Sequence, residues 1–314
     1  MGYWFEKNES RRFPRIEMPV QIHITPTNPI RSKDIHALGI DYFPPSVEKK
    51  IQKTKLDLWH SVKHIQEQQD ILEPVFFETI DLIDTFGEVV KDAQQGRNPE
   101  LSDPKDPVIL QKLFSGFQRF SSLQTPAPKT FYYFDQLNQK FLVYAQNLVY
   151  GLKKSTPGKF ISTLAFQTDF EIDKTIANFS QPKFQQVPLA KALFYLSQYL
   201  NLHLAAYREF LQDLLPNKSA KKLPKLDINL SACGLAIREN KRIPLGCKVD
   251  VTLYFADTDE TLKIKGSIVR SVTLAKQQTE CNALDYYFPD GKDQNIIQRQ
   301  IELMQLYRCP DVSL

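Results

Sequence analysis

From Ile16 to Ile24 the chain is apolar at every second position, with Ile16, Met18, Val20, Ile22 and Ile24 alternating with Glu17, Pro19, Gln21 and His23. Period two predicts a strand with one buried face. Pro19 lacks an N–H and belongs on an unpaired side or at a bulge. Strand-like runs return only near the other end of the chain. They are Leu235 to Ile237, then Val249, Val251, Leu253 and Phe255, then Leu262, Ile264, Ile268 and Val269.

The stretch between, about 26 to 221, has a different period. After Pro44-Pro45-Ser46, which reads as a stop followed by an N-cap, Ile51, Leu58, Ile65 and Leu72 recur every seven residues. The next step is four, to Phe76, before Ile83 and Val90 resume the sevens; this stutter beside Pro74 predicts a bend or break there. Further helices are predicted over Pro107 to Leu123, Phe131 to Leu152 and Pro188 to Leu215, the last carrying Leu193, Leu200, Tyr207 and Leu214 at seven-residue steps. Gly158 to Lys183 has no clear period. The heptads admit two outcomes: packing against other helices of the same chain, or self-association through a coiled coil. Thr54, Ser61 and Gln68 interrupt the second apolar position of the seam.

Two short motifs flank this helical stretch. Arg11-Arg12-Phe13-Pro14-Arg15, spaced R-x-x-x-R, stands at the mouth of the first strand, and Asn229-Leu230-Ser231-Ala232-Cys233-Gly234, spaced N-x-S-x-x-G, precedes the later strands. Arginine is a planar cationic fork that can hydrogen-bond phosphate or the O6/N7 edge of guanine and can stack on a base. Asn229 and Ser231, at alternate positions of an extended segment, present an amide and a hydroxyl on one face. Gly234 permits the turn or close approach that follows. Taken alone, the first motif is also a solvated basic terminus and the second a common turn. Cys233, inside the second motif, reads as a small buried side chain.

Together and in this order the motifs resemble the divided ligand site of the PilZ family, bacterial receptors for cyclic di-GMP. The resemblance covers 1 to about 25 and about 222 to 314. It implies an α+β protein: a six-stranded antiparallel PilZ-type β-barrel with a C-terminal helix, interrupted at 26–221 by a mostly helical insertion with partial coiled-coil character. It also implies that Arg11, Arg12 and Arg15 engage phosphate and guanine edges, that Asn229 and Ser231 contact a guanine, and that Gly234 shapes the turn. In the family the first strand leads away from the arginines, so the insertion departs from the far end of the barrel, up to about 30 Å away at ~3.3 Å per residue. The chain departs from the pattern where the family has a glycine in its last strand; here it reads Cys281-Asn282-Ala283-Leu284-Asp285-Tyr286-Tyr287-Phe288.

Composition narrows the function. The 40 basic and 36 acidic residues leave a formal charge of +4, too mild for nucleic-acid binding by electrostatics alone. There is no apolar stretch long enough to span a membrane and no signal-peptide pattern, so a cytoplasmic, bacterial location is expected. The scattered Cys233, Cys247, Cys281 and Cys309 suit reduced thiols. His60, His64 and Glu67 could share a helix face but lack a further ligand cluster, and neither a nucleophile elbow nor a phosphate-cradling loop is present. No catalytic residue, metal or cofactor is therefore expected. The reading is a non-enzymatic receptor for cyclic di-GMP, a homo-oligomer through its helices and a possible partner of motility or pilus proteins. The alternative is a PilZ-scaffold adaptor in type IV pilus or flagellar machinery that does not bind the nucleotide.

Overall fold

The computed structural model describes residues 13–30, 32–99, 106–162, 169–184, 186–215, 219–288 and 291–309. The chain divides into two compact units, one of Met1–Asn28, Pro216–Leu274 and Thr279–Leu314, the other of Pro29–Leu215 with Ala275–Gln278.

The first unit is a closed antiparallel barrel of six strands: β1 (Arg15–Pro26), β2 (Lys225–Ser231), β3 (Gly234–Glu239), β4 (Lys248–Phe255), β5 (Glu260–Leu274) and β6 (Thr279–Tyr287), in the order β1-β2-β3-β6-β5-β4. β1 behaves as its alternation predicts, with Ile16, Met18, Val20, Ile22 and Ile24 all buried. They share the interior with Leu230, Ile237, Val251, Leu253, Ile264, Ile268 and Leu284.

β1 is long enough to serve two neighbours, pairing with β2 from Arg15 to Gln21 and with β4 from Gln21 to Pro26. The Ile22 N–H bonds toward β2's side, to the Pro224 carbonyl. The backbone N–H and C=O groups of even-numbered β1 residues therefore point toward β2, and those of odd-numbered ones point the other way. Pro19 thus turns its missing N–H to the side that β4 does not reach. α7 (Lys292–Arg308) packs against β1 and β2, burying Ile297 and Ile301, and its Gln300 amide donates to Thr258 and Glu260.

The second unit is helical: α1 (Pro45–Lys63), α2 (Gln69–Gln94), α3 (Asp106–Ser115), α4 (Pro128–Lys154), α5 (Glu171–Ala177) and α6 (Pro188–Leu214). Ile51, Leu58, Ile65, Leu72, Phe76, Ile83 and Val90 are buried, as are Leu193, Leu200 and Tyr207, while Leu214 at the end of the second stripe is half-buried. Both seven-residue stripes lie in the chain's own core, where Phe86 meets Phe141 and Tyr207 in edge-to-face contacts at 5.8 and 5.6 Å between ring centroids. The intramolecular outcome for the heptads is therefore the one observed. Lys140, also buried, is held by Asp173 and Asn201 at 2.6 Å each, and burial pulls its ammonium below the usual lysine range.

Local differences from the sequence reading have identifiable causes. The break falls before Pro74: α1 stops at Lys63 and α2 restarts after Gln68, whose φ is 55°. Pro74 sits one turn inside α2, so its missing N–H leaves only the Asp70 carbonyl without a helical partner. The helix expected over Pro107 to Leu123 is two pieces, because Gly116 takes φ 72° as a C-terminal stop and a 3-10 turn follows at Arg119–Leu123. The Glu78 carboxylate accepts the Gln118 and Arg119 N–H groups and starts that turn. α5 forms inside the stretch without a clear period, anchored by buried Ile172 and Ile176.

β6, the last strand of the barrel, contains no glycine. Gly234 and Gly266, on either side of β6, supply the close approach instead: a Cβ on Gly234 would collide with the Leu284 carbonyl, and one on Gly266 would lie 2.6 Å from that of Asp285.

Because Leu58 is fully buried, Leu58→Ala should lower the stability of the helical unit by about 2 to 5 kcal/mol, the range for such truncations in cores. Helical circular dichroism followed through urea denaturation reads the shift. An unchanged midpoint would refute the stripe's place in the core.

Candidate functional site

The two motifs meet across one strand pair. Arg15 is directly opposite Ser231, and Glu17 is opposite Asn229. Opposed residues project from the same face of a sheet, so the exposed Arg15 side chain leaves the barrel wall on the side that carries Asn229 and Ser231. Arg11 and Arg12 lie outside the described residues.

The rows continue around the wall. The first reads Arg15, Ser231, Gly234, Asp285, Ser267; the second reads Glu17, Asn229, Ala236, Ala283, Arg270. Five strands at about 4.8 Å span roughly 19 Å. Their middle is built of small residues, with Ser231, Gly234 and Ala283 buried and Ala236 half-buried. Arginines stand at the margins. Arg238 reaches the Glu17 carboxylate at 3.3 Å, and Arg308, from the last turn of α7, donates to the Glu17 carbonyl at 2.5 Å. That carbonyl lies on the unpaired side of β1, so Arg308 caps an otherwise open strand edge. The result is a shallow platform with a small-residue floor and a mixed, mostly cationic rim.

Asn229 and Ser231 have different roles here. Asn229 is half-buried and its amide makes no hydrogen bond to a described residue, leaving its donors and acceptor for a ligand. Ser231 is 0% exposed, and its hydroxyl donates to the Gly234 carbonyl at 3.0 Å while lying 3.4 Å from the Cys233 sulfur. In this structure the Ser231 hydroxyl closes the β2–β3 turn. Cys233 is exposed where a buried thiol was expected, because the turn points its side chain outward. Its carbonyl accepts the Tyr286 N–H at 2.9 Å and ties the turn to β6. The Tyr286 hydroxyl is buried without a partner among the described residues, and burial pushes it well above the usual phenol range.

Arg238, Arg270 and Arg308 were not singled out from sequence. Nothing local marks them; they join the platform through register and through the packing of α7. A separate recess of about 80 Å³, lined by Tyr254, Thr258, Gln300, Met304 and Tyr307, is too small for a ligand of nucleotide size. The His60 and His64 rings lie tilted with centroids 4.3 Å apart, and among the described residues no three potential ligands gather to hold a metal ion. Among the described residues, no helix is long and apolar enough to cross a membrane.

No protein-family model, curated protein or solved structure matches the chain.

The separate roles of the two polar residues can be tested without any ligand. Ser231→Ala removes a buried hydrogen bond and should destabilise the barrel by about 1 kcal/mol, whereas Asn229→Ala should change stability little. Chemical denaturation of both variants checks this, and equal effects would overturn the distinction.

Proposed function

We propose that the barrel is a PilZ-type receptor that binds cyclic di-GMP on this platform and relays its occupancy to the helical unit, without catalysing a reaction. The carrying observation is the register that sets Arg15 opposite Ser231, with Asn229 one pair further along, so that motifs about 200 residues apart in sequence share one face. Arg15 would hold a phosphate or the O6/N7 edge of a guanine, joined by Arg11 and Arg12 from the segment that precedes it. The unengaged Asn229 amide would read a base edge. Gly234 and the alanines of the floor would let a planar base lie close to the wall. In this reading the protein acts in the bacterial cytoplasm, where a motility or pilus component would receive the signal.

The second reading, an adaptor on the same scaffold that does not bind the nucleotide, is favoured by one feature. Ser231 is engaged internally, and Glu17 places a carboxylate among the arginines, which would repel a phosphate.

Isothermal titration with cyclic di-GMP separates the two. The parent should bind, and Arg15→Ala should weaken binding at least tenfold, equivalent to about 1.4 kcal/mol, at matched salt. An Arg15→Ala variant that binds as tightly as the parent would refute the site. A parent that does not bind at all would leave the adaptor reading.

A further inference from the structure

We propose that the outer faces of α1 and α2 form a self-complementary surface through which two copies of this chain associate. The heptad stripes are already buried in the unit's own core, so association requires other residues.

On α1, Lys49, Lys53, Leu56, His60 and Lys63 are all exposed and fall at helical spacing on one face. Leu56 is 70% exposed, and no ion pair joins Lys49, Lys53 or Lys63 to a described residue. α2 presents the opposite sign. Its outer face carries Asp70, Glu73, Phe77, Asp81 and Glu88, and an open groove of about 690 Å³, lined also by Arg119, runs along part of it. Part of this acidity has local work: Asp70 and Glu73 lie in or near the first turn, where the helix dipole favours them, Glu78 starts the 3-10 turn, and Glu88 pairs with Lys91 at 3.1 Å while staying largely exposed. Asp81 and the 58%-exposed Phe77 have no such role.

The two helices run antiparallel, side by side. Lys55 pairs with Asp84, Lys91 reaches Glu48, and the Trp59 and Phe77 rings lie 4.7 Å apart. These contacts put Lys63 near the level of Glu73 and Lys53 near that of Glu88. One molecule thus carries a basic helix and an acidic helix in parallel strips, with an aromatic pair between them. A twofold axis parallel to the helices lays α1 of each copy over α2 of the other, cation on carboxylate at matching levels, and brings the Leu56, Trp59 and Phe77 clusters together. A twofold axis across the helices would set α1 on α1, basic on basic. Charge complementarity therefore selects one arrangement of two copies.

The face also limits the affinity. α1 has 19 residues and is about 28 Å long at 1.5 Å per residue. Two helices side by side offer roughly 1,100 Å² counted over both copies, the low end for specific association. Exposed ion pairs add little by themselves, so the apolar cluster must carry the affinity and the charges the geometry.

The test is sedimentation velocity on the full chain from low to several hundred micromolar, with circular dichroism to verify folding. The parent should approach twice the 36.3 kDa chain mass. Lys53→Glu with Lys63→Glu, and separately Glu73→Lys with Glu88→Lys, should each remain monomeric while folded, since all four side chains are exposed or half-exposed. An equimolar mixture of the two variants should recover the dimer, because one strip pair is restored in reverse and the other is unaltered. Phe77→Ser should weaken association at least tenfold. A parent monomeric throughout, a mixture that stays monomeric, or an assembly untouched by the charge reversals would overturn the proposal.

Discussion

Closure of the barrel rests on β1, a 12-residue strand separated in sequence from its partners by the whole helical stretch. Without it β2 and β4 would be open edges, each a row of unpaired backbone groups. Bringing the ends of a flexible loop of about 200 residues together would cost roughly 5 kcal/mol beyond a constant. A folded unit between β1 and β2 is not a flexible loop, because its own packing fixes where its chain ends emerge. The strong alternation of β1 then allows one register, since a slip of one residue would turn its six buried side chains outward.

That register creates the candidate site. Arg15, Glu17, Asn229 and Ser231 come together because two strands pair, and Gly234 and Gly266 let β6 lie close beside them. The same pairing assigns unequal work to the motif residues. Ser231 and the Cys233 carbonyl hold the turn in shape, while Arg15 and Asn229 are left on the surface. Glu17, together with the exposed Asp285 of the first row, is the exception to the cationic character of the platform. Its ion pair with Arg238 sets the charge that any anionic ligand would meet.

In the helical unit, periodicity and surface chemistry separate cleanly. The seven-residue stripes form the core, reinforced by aromatic edge-to-face contacts and by the buried lysine that Asp173 and Asn201 satisfy. What remains outside is charged by helix, basic on α1 and acidic on α2. A heptad signal marks burial but does not say whether the burying partner is the same chain or another.

The sequence by itself determined β1, β3, β4, the first part of β5 and the main helices, because alternation and helical spacing are local and strong at Ile16 to Ile24 and at Pro188 to Leu215. It marked Arg15, Asn229, Ser231 and Gly234 through spacing, and Gly234 proved to stand where a side chain would collide with β6. Boundaries were less legible. The break at Gln68 and the stop at Gly116 depend on backbone conformations that neighbouring packing imposes. Only the tertiary structure decided that Arg15 faces Ser231, that Arg238, Arg270 and Arg308 share their wall, and that Ser231 points into the turn while Cys233 points out. Those outcomes follow from strand register and helix docking, in which residues far apart in sequence become neighbours and no local pattern records the distance between them.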